Sequence, residues 1–361
     1  MQMLLSKMLL IGIGIGIVIL ISLIIILLVV LIHSNKKNRY PVGSDFPKQP
    51  IPQEIPPAAA SMQTAPQMPF PEQTACMEPD EADGENLTRH PVFMDDIDHY
   101  TITTAPDSTI RIGKIHAVGR RKNQQDSFAY SDVQDLEQIE KKGILLLVAD
   151  GMGGLSHGAE VSALVATEML RYFDEHDVTQ NITLSLREML YHANDKVSEF
   201  LGEEGLGQSG STLVAAHIKD HQIHWISVGD SCIYLYRENQ LYRLNELHNY
   251  GSQLDKQVAR GEISAEEALS KKNRAALTSF IGAGEIALID QNEEPLTILP
   301  GDRFILMSDG IETVSEEELK QMLCYDVEEA ALKLRYLIES KDKRNQDNFT
   351  AIILEDNYKE T

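Results

Sequence analysis

The chain of 361 residues is 43% hydrophobic, enough for one large domain or two ordinary ones with a sizeable core. A formal net charge of −23 argues against nucleic-acid binding, because phosphate backbones need a basic surface, and acidic clusters attract cations instead. The three cysteines, Cys76, Cys232 and Cys324, are far apart and odd in number; they support neither a disulfide framework nor a zinc site and fit a reducing compartment.

After a short N-terminus, residues 1–8, the stretch 9–32 carries no charge and as a helix would span roughly 36 Å at about 1.5 Å per residue. That length crosses a bilayer with some tilt. A cleaved signal peptide has a shorter apolar region and a small-x-small cleavage site, so the expectation is an uncleaved transmembrane helix. Lys7 precedes the span whereas Lys36, Lys37 and Arg39 follow it, which puts the C-terminal side in the cytoplasm. Gly12 and Gly16 form a GxxxG pair, a spacing that brings membrane helices together and that also arises by chance in so Gly-rich a span. Residues 33–108 follow, and twelve of the fourteen prolines lie between positions 41 and 106, among Gln, Ala and acids. Such a composition buries too little apolar surface to offset its ordering entropy and predicts a disordered Pro-rich, acidic tether.

Regular patterns begin near Thr109. Strands are expected at 111–118, 127–130 and 144–148. Two amphipathic helices follow, with Val161, Leu164, Val165, Met169 and Tyr172 on the apolar face of the first. Leu186, Met189, Leu190, Ala193, Val197 and Phe200 line the face of the second. Runs at 212–218, 222–228 and 233–236 predict an antiparallel meander. Two short helical stretches at 252–269, strands at 286–290 and 303–307, a helix at 327–338 and a last strand at 350–354 complete an α+β pattern. It reads as two antiparallel sheets with helices outside.

The run 144–148 leads without a polar interruption into Asp150 and Gly151, which predicts a buried strand ending in a carboxylate at a sharp turn. The run 304–307 repeats the design with Ser308, Asp309 and Gly310. Asp230 ends another apolar run, Asp126 stands between the first two strands, and Asp347 precedes the last. One Asp-Gly pair is an ordinary turn, but five acids at strand ends in one domain form a pattern. Hard divalent cations take oxygen ligands from separate strands, whereas carboxylates clustered without a cation repel each other at a cost.

Those residues carry a family resemblance. The motifs are Arg121-x-x-x-Gln125-Asp126-Ser127, Val148-Ala-Asp150-Gly-Met-Gly-Gly154, Gly210-Ser-Thr212, Val228-Gly-Asp230-Ser231, Ser308-Asp309-Gly310 and Asp347-Asn348-Phe-Thr350. In this order they resemble the metal-dependent serine/threonine protein phosphatases, the PPM or type 2C family, particularly bacterial members, over a domain at 109–357. The resemblance implies a β-sandwich of two antiparallel sheets flanked by helix pairs. It implies Asp126 and Asp150 as ligands of two Mn²⁺ or Mg²⁺ ions, with Asp150 bridging and the Gly151 carbonyl adding a ligand. Asp309 and Asp347 would complete the second ion's shell, Asp230 would serve a third site, and Arg121 would grip phosphate through its planar fork. A water held between the cations would attack phosphorus in line. The implied partners are phosphorylated Ser/Thr proteins, including a serine/threonine kinase and its targets, with the lipid bilayer met through 9–32 and no nucleic acid. The charge-free span 9–32 and the basic residues after it predict a single-pass cell-membrane location with the catalytic domain cytoplasmic.

Three positions depart from the family pattern. Gln125 stands where Glu is common, and its amide could still hold a metal-bound water. Met152 stands where many eukaryotic members have a histidine, and a thioether has no proton to give a leaving alkoxide. Thr313 stands where an Asp of the third metal site belongs. His116 and His157 are close in sequence, but a lone histidine is more often structural. Residues 241–277, with Ala259-Arg-Gly-Glu-Ile263 and Asn273, resemble the flap beside the family's active site. A catalytically inactive phosphatase-like sensor or scaffold at the membrane is the alternative, as is an adaptor working through the Pro-rich stretch; the retained acids and arginine favour the enzyme.

Overall fold

The computed structural model describes residues 100–153 and 157–358. The predicted span 9–32 and residues 33–99 of the predicted tether lie outside them. Among the described residues no helix is long and apolar enough to cross a membrane.

Thirteen strands are described: β1 (Thr101–Ile102), β2 (Ile110–Ala117), β3 (Asp126–Tyr130), β4 (Ile144–Met152), β5 (Gly210–Ser211), β6 (Leu213–Lys219), β7 (Gln222–Val228), β8 (Cys232–Arg237), β9 (Gln240–Arg243), β10 (Asp290–Gln291), β11 (Leu296–Thr297), β12 (Arg303–Met307) and β13 (Phe349–Asp356). One antiparallel sheet has the order β1-β2-β13-β12-β8-β9. The other runs β10-β7-β6-β4-β3, with β11 on β7 and β5 on β4.

Side-chain alternation then builds the layers. Leu146 and Val148 of β4 share a core with Phe304 and Leu306 of β12 and Ile352 and Leu354 of β13, so this core lies between the sheets. Leu145, Leu147 and Ala149 point the other way, onto Val161, Val165 and Met169 of α2 (Gly158–Glu175) and Leu186, Met189 and Leu190 of α3 (Ile182–Gly205). The opposite outer face joins Ala351 and Ile353 to Ala330, Ala331 and Leu334 of α7 (Val327–Ser340). Both faces of each sheet are therefore covered, which is why the central strands read as unbroken apolar runs. Between α3 and α7 come α4 (Tyr250–Ala259), α5 (Ala265–Ser270) and α6 (Glu316–Met322); α1 (Leu136–Lys142) precedes β4.

Four expectations change. Strand pairing is described before residue 109: Thr101 and Ile102 pair with Gly113 and Ile112, and Ile102 is buried in the inter-sheet core. The three runs after residue 212 are not one meander, because β8 leaves β7 and pairs with β12 and β9 in the other sheet. Gly229, at φ +98°, makes that crossover, a backbone conformation open to glycine. The strand expected at 286–290 shrinks to β10, although Ile286 and Ile289 still enter the core. Finally, β4 does not stop at Asp150; it continues through Gly151 and Met152, which pair with Ser211 and Gly210.

Candidate active site

Antiparallel pairing brings the acids to one end of the sandwich. The start of β3 lies against the end of β4, so Asp126 stands directly opposite Asp150. The start of β13 lies against the end of β12, where Met307 pairs with Ala351, and this places Asp347 and Asp309 side by side at the loop ends. Asp230 sits on the crossover between β7 and β8. A cleft of about 400 Å³ opens there, lined by Asp150, Asp230, Asp309 and Asp347, with Arg121, Gln125, Gly151 and Met152. Asp126 lies buried beside it, 4% exposed.

Each functional group is held by neighbours. Ser308 Oγ donates to Asp126 Oδ2 at 2.7 Å and receives the Thr350 N–H at 2.9 Å. The Asp150 N–H donates to Thr212 Oγ1 at 3.1 Å, and the Asp150 carbonyl accepts from Thr212 N at 2.9 Å and Ser211 Oγ at 3.1 Å. Asn348 accepts from Gln125 N at 2.9 Å and donates to the Val118 and Asn123 carbonyls, which fixes the loop carrying Arg121. The sequence placed Ser308, Thr350, Thr212 and Asn348 inside motifs without a role; their roles need neighbours that are far away in the chain.

The electrostatics are those of an uncompensated acid cluster. Burial, opposed in part by the Ser308 and Thr350 hydroxyls, pushes the Asp126 carboxyl up to about 7. Asp150 is raised well above the usual carboxylate range, first by burial and then by Asp126, Asp309, Asp230 and Asp347. Asp309 is raised by burial and by Asp347. Asp230 is pushed up to about 7 by burial and by Asp309. Arg121 pairs with Asp347, and both are partly exposed at 54% and 40%.

A family profile for "Protein phosphatase 2C" matches residues 112–348, a span that contains Arg121 and all five acids. The chain belongs to the protein phosphatase 2C family. A putative protein phosphatase 2C-type of Streptococcus pyogenes is 28% identical over 208 residues, 56% of this chain and 80% of that one. The serine/threonine phosphatase of S. agalactiae has a similar structure, with a TM-score of 0.59, 25% identity and coverage of 68% of this chain and 98% of the other. So does the catalytic domain of the serine threonine protein phosphatase PstP, solved in complex with two manganese ions, with a TM-score of 0.52, 25% identity and coverage of 68% and 97%.

Within this 2C-family site the donor chemistry suits a hard divalent cation: oxygen ligands only, desolvated, and charged alike. As the side chains stand, no three His, Cys, Asp or Glu among the described residues are grouped closely enough to hold one ion. The reason is visible in the contacts. Asp347 is turned to Arg121, and Asp309 stands close enough to Asp150 for its charge to add to the rise in pKa that burial gives that carboxyl. A divalent cation held by these carboxylates would offset their mutual repulsion.

The remaining predicted positions fall on both sides. Gln125 lines the cleft, and its carbonyl accepts the Gly151 N–H at 3.0 Å. Met152 lines the cleft and offers no proton. His157 is outside it, edge-on to Phe200 with ring centroids 5.6 Å apart. His116 bonds through Nδ1 to Thr350 Oγ1 at 3.0 Å and packs edge-on against Phe128, which is a supporting position. Thr313 donates to Gln346 Oε1 at 2.7 Å and receives Lys343 Nζ at 3.2 Å, so its place holds a hydroxyl beside a cation. That surrounding disfavours a third metal through Asp230. The predicted flap contributes Ala275 and Leu277 to the cleft wall, and Asn273 takes φ +61°, a conformation asparagine tolerates.

Proposed function

We propose that this cleft hydrolyses phosphoserine and phosphothreonine in proteins, with two Mn²⁺ or Mg²⁺ ions held by Asp126, Asp150, Asp309, Asp347 and the Gly151 carbonyl. The observation that carries the reading is the convergence of four carboxylates, Asp150, Asp230, Asp309 and Asp347, with Arg121 on one 400 Å³ cleft beside the buried Asp126, in a member of a protein phosphatase family. The relatives named serine/threonine phosphatase support the substrate class. The implied partners are phosphorylated Ser/Thr proteins, a serine/threonine kinase and its targets among them.

When bound, the ions supply Lewis acidity, which lowers the pKa of a water and offsets charge on the phosphoryl oxygens. The chain's own residues do the rest. Ser308 and the β13 backbone hold Asp126 in a single orientation, and Ser211 and Thr212 do the same for the Asp150 backbone. Arg121 presents parallel N–H donors at the mouth of the cleft, matched to two phosphoryl oxygens. Met152 leaves the loop after Asp150 without an acid, so the leaving alkoxide takes its proton from solvent.

Turnover of p-nitrophenyl phosphate and of a phosphothreonine peptide should require added Mn²⁺ or Mg²⁺. A pure, folded protein inactive with both ions from neutral to mildly alkaline pH would sink the reading. Calorimetry gives a second readout. Asp126 and Asp230 have folded pKa values raised above their unfolded ones, so the stability they lend in the protonated form is full at acid pH and is lost as pH rises toward about 7. The rise in melting temperature on adding Mn²⁺ should therefore be larger at pH 8 than at pH 5.5. An increment that does not change with pH contradicts a carboxylate site.

The anchoring of the chain in the cell membrane, with the catalytic domain cytoplasmic, is supported by the uncharged stretch 9–32 and the basic residues after it. Deleting 9–32 should move the protein from the membrane to the soluble fraction; a deletion variant that still sediments with membranes contradicts it.

A further inference from the structure

The wall of the cleft that carries Arg121 is built from two loops, residues 119–125 and 341–348. They are tied together: the Arg120 N–H donates to the Gln346 carbonyl at 2.9 Å, and Gly119 approaches so closely that a Cβ would stand 2.2 Å from the Asp347 carbonyl oxygen. These loops place six exposed basic residues, Arg120, Arg121, Lys122, Lys341, Lys343 and Arg344, on one rim.

Half of that charge is compensated. Arg120 pairs with Asp342 at 2.7 Å, Lys341 with Glu318, and Arg121 with Asp347. Lys122, Lys343 and Arg344 have no carboxylate partner among the described residues, and Lys343 bonds instead to the Thr313 hydroxyl. The flap, on the other wall, is different. There Lys256, Arg260, Lys271 and Arg274 are each matched by Glu246, Glu262, Glu267 and Asp255. In a chain of net charge −23, three unmatched basic residues stand together on the wall where a phosphate must meet Arg121, whereas four of the six basic residues of the flap are paired, Arg243 and Lys272 being the exceptions. Charge at a cleft mouth focuses its field outward and selects oppositely charged ligands.

We propose that this rim reads an anionic group next to the scissile phosphoresidue, so that the preferred substrates are phosphopeptides flanked by carboxylates or by a second phosphate. The inference rests on the phosphatase reading above and adds the substrate class to it. Lys122 and Arg344 are specificity-determining residues; neither belongs to the catalytic set.

The test measures kcat/KM of the full chain with Mn²⁺ on one phosphothreonine peptide in four forms: neutral flanks, three flanking Glu, a second phosphothreonine, and three flanking Lys. The Glu and doubly phosphorylated forms should exceed the neutral form by about tenfold, with the Lys form lowest, and the gap should narrow at high salt. Which of the first two leads identifies the carboxylate or the phosphate as the group read. The double variant Lys122→Glu/Arg344→Glu should collapse or reverse the ranking while leaving p-nitrophenyl phosphate turnover unchanged, and Lys122→Arg/Arg344→Lys should keep it. Equal kcat/KM for all four forms, with p-nitrophenyl phosphate turned over normally, overturns the inference and leaves the phosphatase reading standing. No turnover of any compound overturns both. A flat ranking together with loss of binding to phosphatidylserine vesicles in the Glu variant assigns the rim to the lipid surface and also overturns it.

Discussion

Asp150→Asn should reduce turnover by at least about 10³-fold, a loss of ~4 kcal/mol in transition-state stabilisation, while the metal-free protein becomes harder to melt. Asp150 stands opposite Asp126 in the β3–β4 register and its carboxyl is raised by burial and by four neighbouring acids, so under the proposed function its loss should cost the most. Asn keeps the shape and one acceptor oxygen but removes the charge. The same removal relieves a buried acid whose pKa is raised by burial and four like charges. A raised folded pKa makes ionisation destabilising as pH rises, so the gain in stability should grow from pH 5.5 to pH 8. It should reach a few degrees in melting temperature. Kinetics and calorimetry on one preparation decide the matter: turnover within tenfold of wild type removes Asp150 from the metal site, and Asp309→Asn provides the parallel case.

Gly151→Ala, one residue on, should do the opposite to stability. A Cβ there would lie 2.1 Å from the Gly158 carbonyl oxygen and 2.5 Å from that of Gln125, two backbone atoms that cannot rotate away. Gly158 begins α2, whose Val161, Val165 and Met169 pack on β4, and the Gly151 N–H is bonded to that same Gln125 oxygen. Relief therefore requires moving the helix or the loop before Asp126. The expected cost is about 3 kcal/mol or more, roughly 6–12 °C in melting temperature for a domain of this size, with activity lost as well. Unchanged melting would show that the helix start can shift freely. The two variants separate the metal-binding role proposed for Asp150 from the space Gly151 provides where the strand meets the helix.

Much of this was readable because the covered sheets leave simple traces. Ile144 through Val148 is apolar throughout because alternate residues face two different cores, and an acid directly after such a run has few structural uses. The helices showed their core faces through 3.6-residue spacing, as at Ala330, Ala331 and Leu334. Less was readable where tertiary pairing decides. The run at 233–236 has strand character in either sheet, and only the Gly229 crossover and the packing against β12 assign it to one. Thr101 and Ile102 lie in a Pro-rich context and are strand only because the edge of β2 is there to receive them. His116, read from the sequence as structural, supports the site through Thr350, 234 residues away, a partner no local pattern could name.

By itself the sequence determined the acids, their order and the apolar runs that end in them, because motif spacing and hydrophobic period are local properties. The tertiary structure decided which of them converge. Antiparallel register puts Asp126 opposite Asp150, and Asn348 clamps the Arg121 loop across a separation of more than two hundred residues. It also decided that Thr313 faces a lysine and that Lys122, Lys343 and Arg344 stand without a carboxylate partner on the wall that carries Arg121, since neither register nor ion pairing is encoded in any single stretch of chain.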